Sequence, residues 1–583
     1  MERFNVKNEK IYKHIMAFIV FLICIFRYNV MQNPYFTPDE VGYWAAGAWI
    51  QGIDWSPIFS HIAYYGWGYG LILAPLFFIH NTAIKFHCAI IINTILLTAI
   101  YYLLVYIFKQ IFSNYEYKKI LLIAFATTLY SYHIAYAHLT MCEVYLTLVF
   151  ILSICVLINI SKQATYLNVS VYALVVGIQI SIHLRMIILL FVSILVLGYM
   201  FMIKKINIRH VLVFWGIILI EILFIYKIKD LYIDSQYTMK IVENFTEDIN
   251  RQGVNDSITM RLSVLKNISS IDFWEKLFFS LIGKLFYLCC ASFFTILFGF
   301  QYIVSNILKS LKELKEKKTQ SDKFIGVWIY VAFSFLGALA LNAISLMYAN
   351  RFEHLFYGRY TENVVAFIIF LGIKQIVDNK VKINKVILCL LFNLGMSILL
   401  YLWIKQNNYV GVLPLQCSVF AGLFARQNVD YASQFTIYII LLVIIIFLVF
   451  YILSKNKVQY GTIVLGIVWS IIAYRGLDMF IYPEITRMNA IVDIAEDIDS
   501  RTEKVWTLIP DDTNVHIAAF VDAIWLQFQL DDRTVNVVDE NRIDMLTQDD
   551  ILIISKYYPN SYEISQKYNV LSENSEMYIL RTN

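Results

Sequence analysis

Charged residues are scarce in this chain of 583 residues: they make up 15% of the sequence, against 59% hydrophobic residues. A soluble protein of ordinary composition carries about 25% charged residues. Apolar segments of close to the ~20 residues that an α-helix needs to cross a bilayer recur through most of the chain. These segments are continuous and do not alternate with polar residues, which excludes a transmembrane barrel. We therefore predict a polytopic α-helical membrane protein.

Metal-binding and redox motifs are absent from the sequence. The eight cysteines are scattered, and no CxxC pair or Cys/His spacing of a metal site occurs. The first apolar run has no small-residue cleavage site, so we predict a retained helix and not a removed signal peptide. No internal repeat of the inverted kind found in many transporters is visible. The net charge of +4 is small and lies mainly in loops, which indicates membrane topology and no affinity for nucleic acid.

Lysine and arginine recur between the apolar segments. The N-terminus holds Arg3, Lys7, Lys10 and Lys13, and six lysines fall within 309–323, which places both segments in the cytoplasm by the positive-inside rule. The same alternation along the chain predicts roughly 13 spans, with the N-terminus inside and the C-terminus outside, in an integral protein of a bacterial plasma membrane. The predicted spans are about 14–30, 84–108, 119–136, 141–160, 167–181, 186–203, 210–226, 277–308, 324–344, 364–377, 386–404, 435–453 and 461–480.

The composition changes at about Tyr482, where acidic residues become dense and apolar runs shorten to strand length. We predict a transmembrane domain over 1–481, with a first outer loop over 31–83, and a small soluble α/β domain over 482–583 on the outer face. Residues 489–501 read as a helix. The predicted strands are 505–509, 515–519, 534–538, 551–555 and 577–581.

The first outer loop carries the strongest functional pattern. Asp39 and Glu40 follow Pro38 and start a short helix predicted at 41–51, which we expect to be amphipathic and to lie on the membrane surface. Acids, a histidine and stacking rings beside a bilayer suggest a carbohydrate or polyprenyl-phosphate site, whereas a plain aromatic belt needs the rings only. The alternative is a helix-capping acid pair. The candidate ligands in this loop are Tyr43, His61 and Tyr64.

Two further outer segments carry arginine beside aromatic or histidine side chains. In the run HLFYGRYTEN, Arg359 lies between Tyr357 and Tyr360, and arginine binds phosphate through two parallel hydrogen bonds. The alternative for this run is an interfacial anchor. His183 and Arg185 lie in a very short outer turn, where Arg185 could hold Asp39 or a phosphate, or could be an ordinary loop arginine.

The acidic pair after the first span, the alternating spans and the outer C-terminal domain resemble the GT-C superfamily of integral-membrane glycosyltransferases. The likeness is greatest to the protein mannosyltransferase and aminoarabinose transferase branch. The resemblance implies a polyprenyl-phosphate sugar donor, chemistry on the outer face, Asp39 as catalytic base and Arg359 near the lipid phosphate. It also implies that Glu143, at the start of the fourth span, holds a metal or the acceptor.

One stretch departs from the family pattern. The aminoarabinose branch has a Lys-Pro-Pro run after the first loop, and the comparable stretch here is Tyr65-Gly66-Trp67-Gly68-Tyr69. Metal dependence also stays open. Asp39, Glu40 and Glu143 could supply oxygen ligands to a divalent ion, but the sequence assigns no metal ligand and no certain cofactor.

These observations predict an inverting glycosyltransferase in which Asp39 and Glu40 form the catalytic pair. Its partners would be a polyprenyl-phosphate sugar, a lipid, glycan or protein acceptor, and membrane lipids. The rival hypothesis is a transporter or flippase of lipid-linked glycans, which predicts charged residues deep inside several spans. A third is a non-catalytic scaffold, which predicts no dependence on Asp39.

Overall fold

The computed structural model describes residues 2–35, 38–60, 62, 64–236, 264–316, 322–348, 351–407, 409, 415–423, 432–498, 504–510 and 516–581. Up to residue 480 these residues are almost entirely helical. The longer helices are Glu2–Ile25, Asp39–Ile50, Thr82–Ile111, Tyr117–Thr128, Glu143–Lys162, Tyr166–Ile182, Ile188–Met202, Ile208–Gln236, Ile271–Ala291, Thr295–Lys315, Ile325–Leu346, Ala366–Val377, Ile383–Asn407, Ala432–Asn456 and Val458–Phe480. Short helices are Ser56–Phe59, Gly70–Leu73, Ala74–Phe78, Ser131–Ala137, Leu184–Ile187, Val264–Asn267, Phe352–Phe356, Arg359–Glu362, Leu415–Cys417 and Ser418–Leu423.

Eight of the described helices are long and apolar enough to cross a membrane, and the number rises to 11 if each of three bent pairs is one span. The protein is therefore an integral membrane protein. Two other predicted spans coincide with helix Glu2–Ile25, which carries charges in its first half, and with helix Tyr166–Ile182, which has only 17 residues. The count of 13 stays a prediction.

Two predicted spans, 119–136 and 277–308, are wrong in shape, because each is a pair of helices with a sharp break. In the first, helices Tyr117–Thr128 and Ser131–Ala137 bend by 57°. The predicted span 364–377 is close to the single helix Ala366–Val377, which follows the segment 352–362 at a bend of 86°. The predicted span 277–308 turns by 106° between helices Ile271–Ala291 and Thr295–Lys315. At this break Phe293 and Phe294 have φ values of 45° and 60°, and the left-handed conformation stops an α-helix.

The helix of the first loop differs from its prediction. It spans Asp39–Ile50, and every residue from Glu40 to Ala48 is buried. The expectation of an amphipathic helix on the membrane surface is therefore wrong. The sequence VGYWAAGA is apolar or small on all sides, and a helix that is apolar all round packs inside a protein.

After residue 480 the chain forms helices Tyr482–Glu484, Ile485–Glu496, Ile517–Leu530, Glu540–Met545 and Ser561–Lys567 and a five-stranded sheet. The strands are β1 Val505–Thr507, β2 Val535–Val537, β3 Ile551–Ser555, β4 Asn569–Glu573 and β5 Met577–Arg581, in the spatial order β2-β1-β3-β5-β4. Strand β1 pairs in parallel with β2 and β3, with Val505 beside Val535 and Ile551. Strand β5 is antiparallel to β3 and β4, with Leu580 opposite Leu552 and Val570.

The predicted strand over 515–519 is wrong. Residue 515 lies outside the described residues, and the chain from Ile517 is a helix rich in good helix formers such as Ala, Leu and Gln. Strand β4 and helix Ser561–Lys567 have no counterpart in the prediction. The β3 and β5 bounds agree with it at both ends.

The C-terminal sheet domain packs against the first loop. The indole of Trp55 donates to the carbonyl of Asp531 at 2.7 Å, and the indole of Trp525 donates to the carbonyl of Pro34 at 2.7 Å. Lys85 forms a buried ion pair with Asp531. One hydrophobic core runs through the helical part and one face of the sheet. The loop that carries the candidate catalytic acid is thus held between the membrane helices and the C-terminal domain, and the boundary at 481/482 stays a prediction.

Candidate active site

Asp39 is the partly open acid of the site. It is the first residue of helix Asp39–Ile50, and its side chain is 24% exposed. Its Oδ2 forms an ion pair with Nη1 of Arg359, and its Oδ1 accepts a hydrogen bond of 2.5 Å from the hydroxyl of Tyr65. An acid at a helix start is also stabilised by the helix dipole. Both oxygens are therefore oriented, while part of the carboxylate stays open to a ligand.

Arg359 lies between two carboxylates. Its side chain is 1% exposed, and its Nε donates to Oε1 of Glu143 at 2.6 Å while Nη1 holds Asp39. Glu143 begins helix Glu143–Lys162 and is fully buried. A buried guanidinium needs such partners, because an unpaired buried charge is costly. Arg359 therefore ties the starts of two distant helices together.

Arg185 is the second cation of the site. Its Nη2 lies 3.4 Å from Oε1 of Glu143, and its Cζ lies 4.7 Å from the centre of the Tyr360 ring. Within the described residues, its buried Nε and Nη1 atoms have no hydrogen-bond partner. Buried donors without a partner are rare in proteins. Arg185 can therefore bind an anionic group, and we call Asp39, Glu143, Arg185 and Arg359 the charged cluster.

Two glycines place Tyr65 beside the charged cluster. A Cβ at Gly42 would lie 2.6 Å from the Tyr65 ring, so a larger residue there would displace the ring. Gly66 has a φ of +119°, and a Cβ there would lie 2.6 Å from the carbonyl oxygen of Ile182. Burial and the nearby Asp39 carboxylate raise the pKa of Tyr65 well above its ordinary value. The hydroxyl thus keeps its proton and donates it in the hydrogen bond to Asp39.

Two buried ionisable side chains hold the segment 352–362 that carries Arg359. Lys284 is fully buried, and its Nζ donates to the carbonyl of His354 at 2.9 Å. Glu362 is fully buried and accepts a hydrogen bond of 2.6 Å from the hydroxyl of Tyr130. These contacts lie on both sides of Arg359 in sequence. They fix the backbone on which the guanidinium stands, as a preorganised polar site requires.

Glu40 and Tyr43 lie behind the site. Glu40 is fully buried, and its Oε1 accepts hydrogen bonds from the backbone N–H and the hydroxyl of Thr140 at 2.5 and 2.6 Å. Tyr43 is fully buried, with its hydroxyl 2.9 Å from Sγ of Cys142 and its ring 5.7 Å from that of Tyr65. This placement supports an orienting role for Glu40 and a packing role for Tyr43.

The remaining outer aromatic and histidine candidates group around Tyr360. The Tyr357 ring lies 4.8 Å from the Tyr360 ring, and the His183 ring lies 6.1 Å from it on another side. The Arg185 guanidinium lies over the same ring. The structure thus brings His183, Arg185, Tyr357, Arg359 and Tyr360 together, although 174 residues separate Arg359 from Arg185 in the printed numbering.

Two candidates of the first loop do not join this group. Tyr64 packs on Tyr232 at a ring distance of 5.5 Å, with Lys229 5.7 Å from its ring centre. It therefore faces helix Ile208–Gln236. His61 lies outside the described residues, so its predicted role as a ligand stays a prediction.

The acids do not fit the divalent ion that the sequence left open. Glu40 faces Thr140, and Asp39 and Glu143 already hold Arg359. Among the described residues, no three His, Cys, Asp or Glu side chains come together as metal ligands would. Oxygen sites for divalent cations need several carboxylate or carbonyl oxygens that converge on one point. Here the acids converge on a guanidinium.

Sequence reasoning missed two residues of the site. Tyr65 donates to the candidate base, and Thr140 holds Glu40. Tyr64 and Tyr65 are adjacent and chemically alike, so composition could not distinguish them. The signal that could have done so is Gly66, because a glycine directly after a tyrosine in a rigid loop allows a tight turn against another segment.

No family model matches the sequence, and no curated protein sequence matches it. The fold does have solved counterparts. The structure is similar to that of ArnT from Cupriavidus metallidurans bound to undecaprenyl phosphate, with a TM-score of 0.55, 11% identity, and coverage of 98% of this chain and 97% of ArnT. The chain has the GT-C fold. The prediction of that fold from the acidic first loop and the span pattern is confirmed.

Two more structures extend the comparison. ArnT in the apo state matches with a TM-score of 0.53, 10% identity, and coverage of 99% of this chain and 98% of ArnT. The archaeal oligosaccharyltransferase AglB from Archaeoglobus fulgidus, in complex with an inhibitory peptide and a dolichol-phosphate, matches with a TM-score of 0.40 and 11% identity over 90% of this chain and 64% of AglB. The GT-C likeness to ArnT includes the C-terminal sheet domain, because it covers nearly the whole of both chains.

Proposed function

We propose that the protein is an inverting glycosyltransferase that moves a sugar from a polyprenyl-phosphate donor to an acceptor on the outer face of the membrane. One observation carries the proposal. A partly open carboxylate, Asp39, is oriented by Arg359 and Tyr65. Arg185, whose buried Nε and Nη1 atoms have no hydrogen-bond partner among the described residues, belongs to the same charged cluster. A base for a hydroxyl and a site for a phosphate are what transfer from a sugar phosphate requires.

The reaction would be a single displacement. Asp39 takes the proton of the acceptor hydroxyl as the acceptor oxygen bonds to the anomeric carbon. The bond between that carbon and the phosphate oxygen breaks, and polyprenyl phosphate leaves with the added negative charge. Attack from the face opposite the leaving group inverts the anomeric centre. Tyr65 and Arg359 hold the carboxylate in position during the transfer.

We assign the leaving phosphate to Arg185. The sequence suggested Arg359, but the Nε and Nη1 atoms of Arg359 already face Glu143 and Asp39. Arg185 has two buried donors without hydrogen-bond partners in the described part of the chain. A charge-assisted bond from such a donor is strong, because little water competes for it. Arg359 then serves to hold Asp39.

The fold supports a lipid-linked donor. ArnT, whose structure was solved with undecaprenyl phosphate bound, shares the fold over nearly the whole of this chain. A polyprenyl phosphate would also suit an integral membrane protein, since its chain partitions into the bilayer.

The test is transfer of labelled sugar from a panel of synthetic polyprenyl-phosphate sugars by the purified full-length protein. We expect Asp39→Asn to lower the rate by about 10²–10⁴, because loss of a positioned base typically costs this much. The amide keeps the size of the side chain, so donor binding should persist. Glu40→Gln should lower the rate less, through a looser loop.

Asp54→Asn is the matched control, because Asp54 lies in the same loop and accepts a hydrogen bond from the backbone N–H of Ser56. Its transfer rate should stay near that of the wild type. Transfer by Asp39→Asn at the wild-type rate would contradict the proposal. If Glu40→Gln abolishes transfer while Asp39→Asn remains active, Glu40 is the base and Asp39 the orienting acid.

The outer location of the chemistry rests on the charge alternation and can be tested separately. Lys567→Cys adds a thiol at the end of helix Ser561–Lys567 in the C-terminal domain, where the side chain is exposed. Seven of the eight native cysteines are buried, so background reaction should be low. We expect labelling by an impermeant maleimide in intact cells. Labelling only after lysis would place the domain, and the charged cluster with it, on the cytoplasmic side.

A further inference from the structure

A groove separate from the charged cluster opens between the first and the last helix of the membrane part. It has a volume of about 500 Å³ and runs between helices Glu2–Ile25 and Val458–Phe480. Its apolar wall is formed by Ile23 and Phe26 on one side and by Ile467 and Ile471 on the other. Ile471 is 61% exposed and Phe26 is 59% exposed. The wall is therefore uncovered by the described residues of the chain.

The charged groups of the groove lie at one end. Arg27 and Asp478 form an ion pair of 2.7 Å that joins the ends of the two helices. Arg475 also lines this end and is exposed, and within the described residues it has no hydrogen-bond or ion-pair partner. Two arginines thus face one carboxylate. We call this end, with Arg27, Arg475 and Asp478, the head of the groove, and it carries a net positive charge.

Polarity changes along the groove in a defined order. Ile467, Ile471 and Arg475 are spaced four residues apart, so they lie in a row on one face of the last helix. The row runs from apolar to cationic toward the end of the helix from which the chain leaves for the C-terminal domain. A membrane lipid has the same order of parts, with an acyl chain followed by a charged head group.

The head of the groove is also built by an unusual backbone conformation. Arg27 has a φ of 62°, a region that residues other than glycine rarely occupy. This conformation follows directly after the first helix and carries the guanidinium that pairs with Asp478. An isolated arginine at the end of a span is an ordinary interfacial anchor. Here an ion pair between two helices closes the end of a concave apolar groove, and Arg475 has no partner in the part of the chain that the structure describes.

We propose that this groove binds an anionic phospholipid of the surrounding bilayer. Arg475 would hold the phosphate of the head group, and one acyl chain would lie along Ile467 and Ile471. Arginine suits this role because its planar fork donates two parallel hydrogen bonds to phosphate oxygens. The phosphate of a bilayer lipid lies in the headgroup region just beyond the hydrocarbon core, where the ends of membrane-spanning helices lie. The proposal does not depend on the glycosyltransferase assignment, because the groove shares no residue with the charged cluster.

The test is a titration of the purified full-length protein with dioleoyl phosphatidylglycerol, followed by native mass spectrometry. We expect Arg475→Gln to weaken binding of the first lipid about tenfold to a hundredfold, as loss of a charged hydrogen bond implies. Lys405→Gln is the matched control, since Lys405 is an exposed cation in the last turn of another span. It should bind as the wild type does. Ile471→Trp keeps both arginines and fills the groove, so it should also weaken binding.

Three comparison ligands decide the nature of the occupant. Dioleoyl phosphatidylcholine, with the same acyl chains and no net charge, should bind at least tenfold more weakly. Equal binding of this lipid would overturn the proposal. Competition by inorganic phosphate at the same concentration would show that the groove is a site for free phosphate. Tighter binding of undecaprenyl phosphate that depends on Arg475 would show that it is a polyprenyl site. Either result would overturn the proposal of a phospholipid site. Unchanged phosphatidylglycerol binding in Arg475→Gln or in Ile471→Trp would overturn it as well.

Discussion

An arginine lies between two carboxylates in both halves of the molecule. In the charged cluster, Arg359 holds Asp39 and Glu143. In the C-terminal domain, Arg487 donates to Asp522 at 2.6 Å and lies 3.5 Å from Glu576. The pairing is the same, and both arginines are largely buried, with 1% and 19% of the side chain exposed. Charge alone therefore does not distinguish a reactive site from a structural tie.

The two clusters differ in what surrounds the pair. Arg487 lies between the rings of Trp525 and Tyr557, at 5.3 and 4.7 Å from their centres, and the second oxygen of Asp522 accepts a hydrogen bond of 2.6 Å from Ser555. Asp522 has no exposed area. This cluster, Arg487 with Asp522 and Glu576, joins helix Ile485–Glu496 to the sheet and leaves its central acid no access to a ligand.

The charged cluster keeps an opening. Asp39 is 24% exposed, and a second arginine, Arg185, brings buried donors without partners in the described part of the chain. The comparison suggests a general criterion. A buried ion pair indicates a site when its acid can still reach a ligand. It indicates a structural tie when the acid is buried and both of its oxygens accept hydrogen bonds, as in Asp522, and we call such an acid saturated. The predictions below separate these roles within and between the clusters.

The largest expected effect is on stability, when Arg359 can no longer pair with Asp39 and Glu143. Arg359→Gln should destabilise the protein by about 3–5 kcal/mol. It leaves the fully buried Glu143 with only one charged partner, the Nη2 atom of Arg185 at 3.4 Å. The measurement is the thermal unfolding of the purified protein in detergent. The double variant Arg359→Gln with Glu143→Gln should recover part of the loss, because no buried charge is then unpaired.

Arg27→Gln is the control for the previous variant. Arg27 also joins two helices through an ion pair, with Asp478, but 37% and 46% of the two side chains are exposed. Exposed pairs contribute about 0–1 kcal/mol. A similar loss of stability in both arginine variants would contradict the role given to Arg359.

The architecture followed from the sequence, because long apolar runs and the lysines between them are local signals. They predicted a helical membrane protein with a C-terminal α/β domain, and the acidic pair led to the GT-C fold. The bends did not follow, since the break at Phe293 and Phe294 depends on a left-handed backbone that no glycine marks. The helix from Ile517 was misread as a strand because a short apolar run has no decisive period.

The candidate site was predictable only in part. Asp39 stands beside proline and Arg359 between tyrosines, both in predicted outer segments, so the sequence alone indicates each of them as a site residue. Glu143, the other carboxylate that pairs with Arg359, lies 216 residues from it in the chain. A single sequence contains no signal for such a pairing. The burial of Glu40 could not be predicted either, because two adjacent acids at a helix start have the same sequence pattern. They differ only in the folded protein, where the hydroxyl of Thr140 donates a hydrogen bond to Glu40.

A smaller effect is expected at Arg185, and it sharpens the contrast with Arg359. Arg185→Gln should weaken binding of polyprenyl phosphate about tenfold to a hundredfold, since a charged hydrogen bond contributes about 1.5–3 kcal/mol. Its effect on thermal stability should be smaller than that of Arg359→Gln, because Glu143 keeps its closer bond to Arg359. The measurement is a binding titration beside the unfolding experiment. Equal affinity for polyprenyl phosphate in the wild type and in Arg185→Gln would mean that Arg359, and not Arg185, binds the phosphate.

The smallest effect concerns pH and the saturated cluster. Burial raises the pKa of Asp522 from 3.8 to about 6, against the opposing effects of Arg487 and Ser555. The folded domain therefore binds this proton more tightly than the unfolded chain does. The contribution of this group to stability is fully present below pH 4 and is lost as the pH rises through about 6. The loss should be about 1–3 kcal/mol.

Hydrogen exchange of helix Ile517–Leu530 in the full-length protein, corrected for the intrinsic exchange rate, measures this change between pH 4 and pH 7. Asp522→Asn should remove the pH dependence that arises from this group. Asp539→Asn should leave it in place, because Asp539 is 68% exposed and pairs only loosely with Arg542. The transfer reaction should follow Asp39 and not Asp522, since only the first acid is open to a ligand. A transfer rate that changes in Asp522→Asn as much as in Asp39→Asn would mean that the two clusters are coupled through the first loop, and the distinction between an open and a saturated pair would not hold.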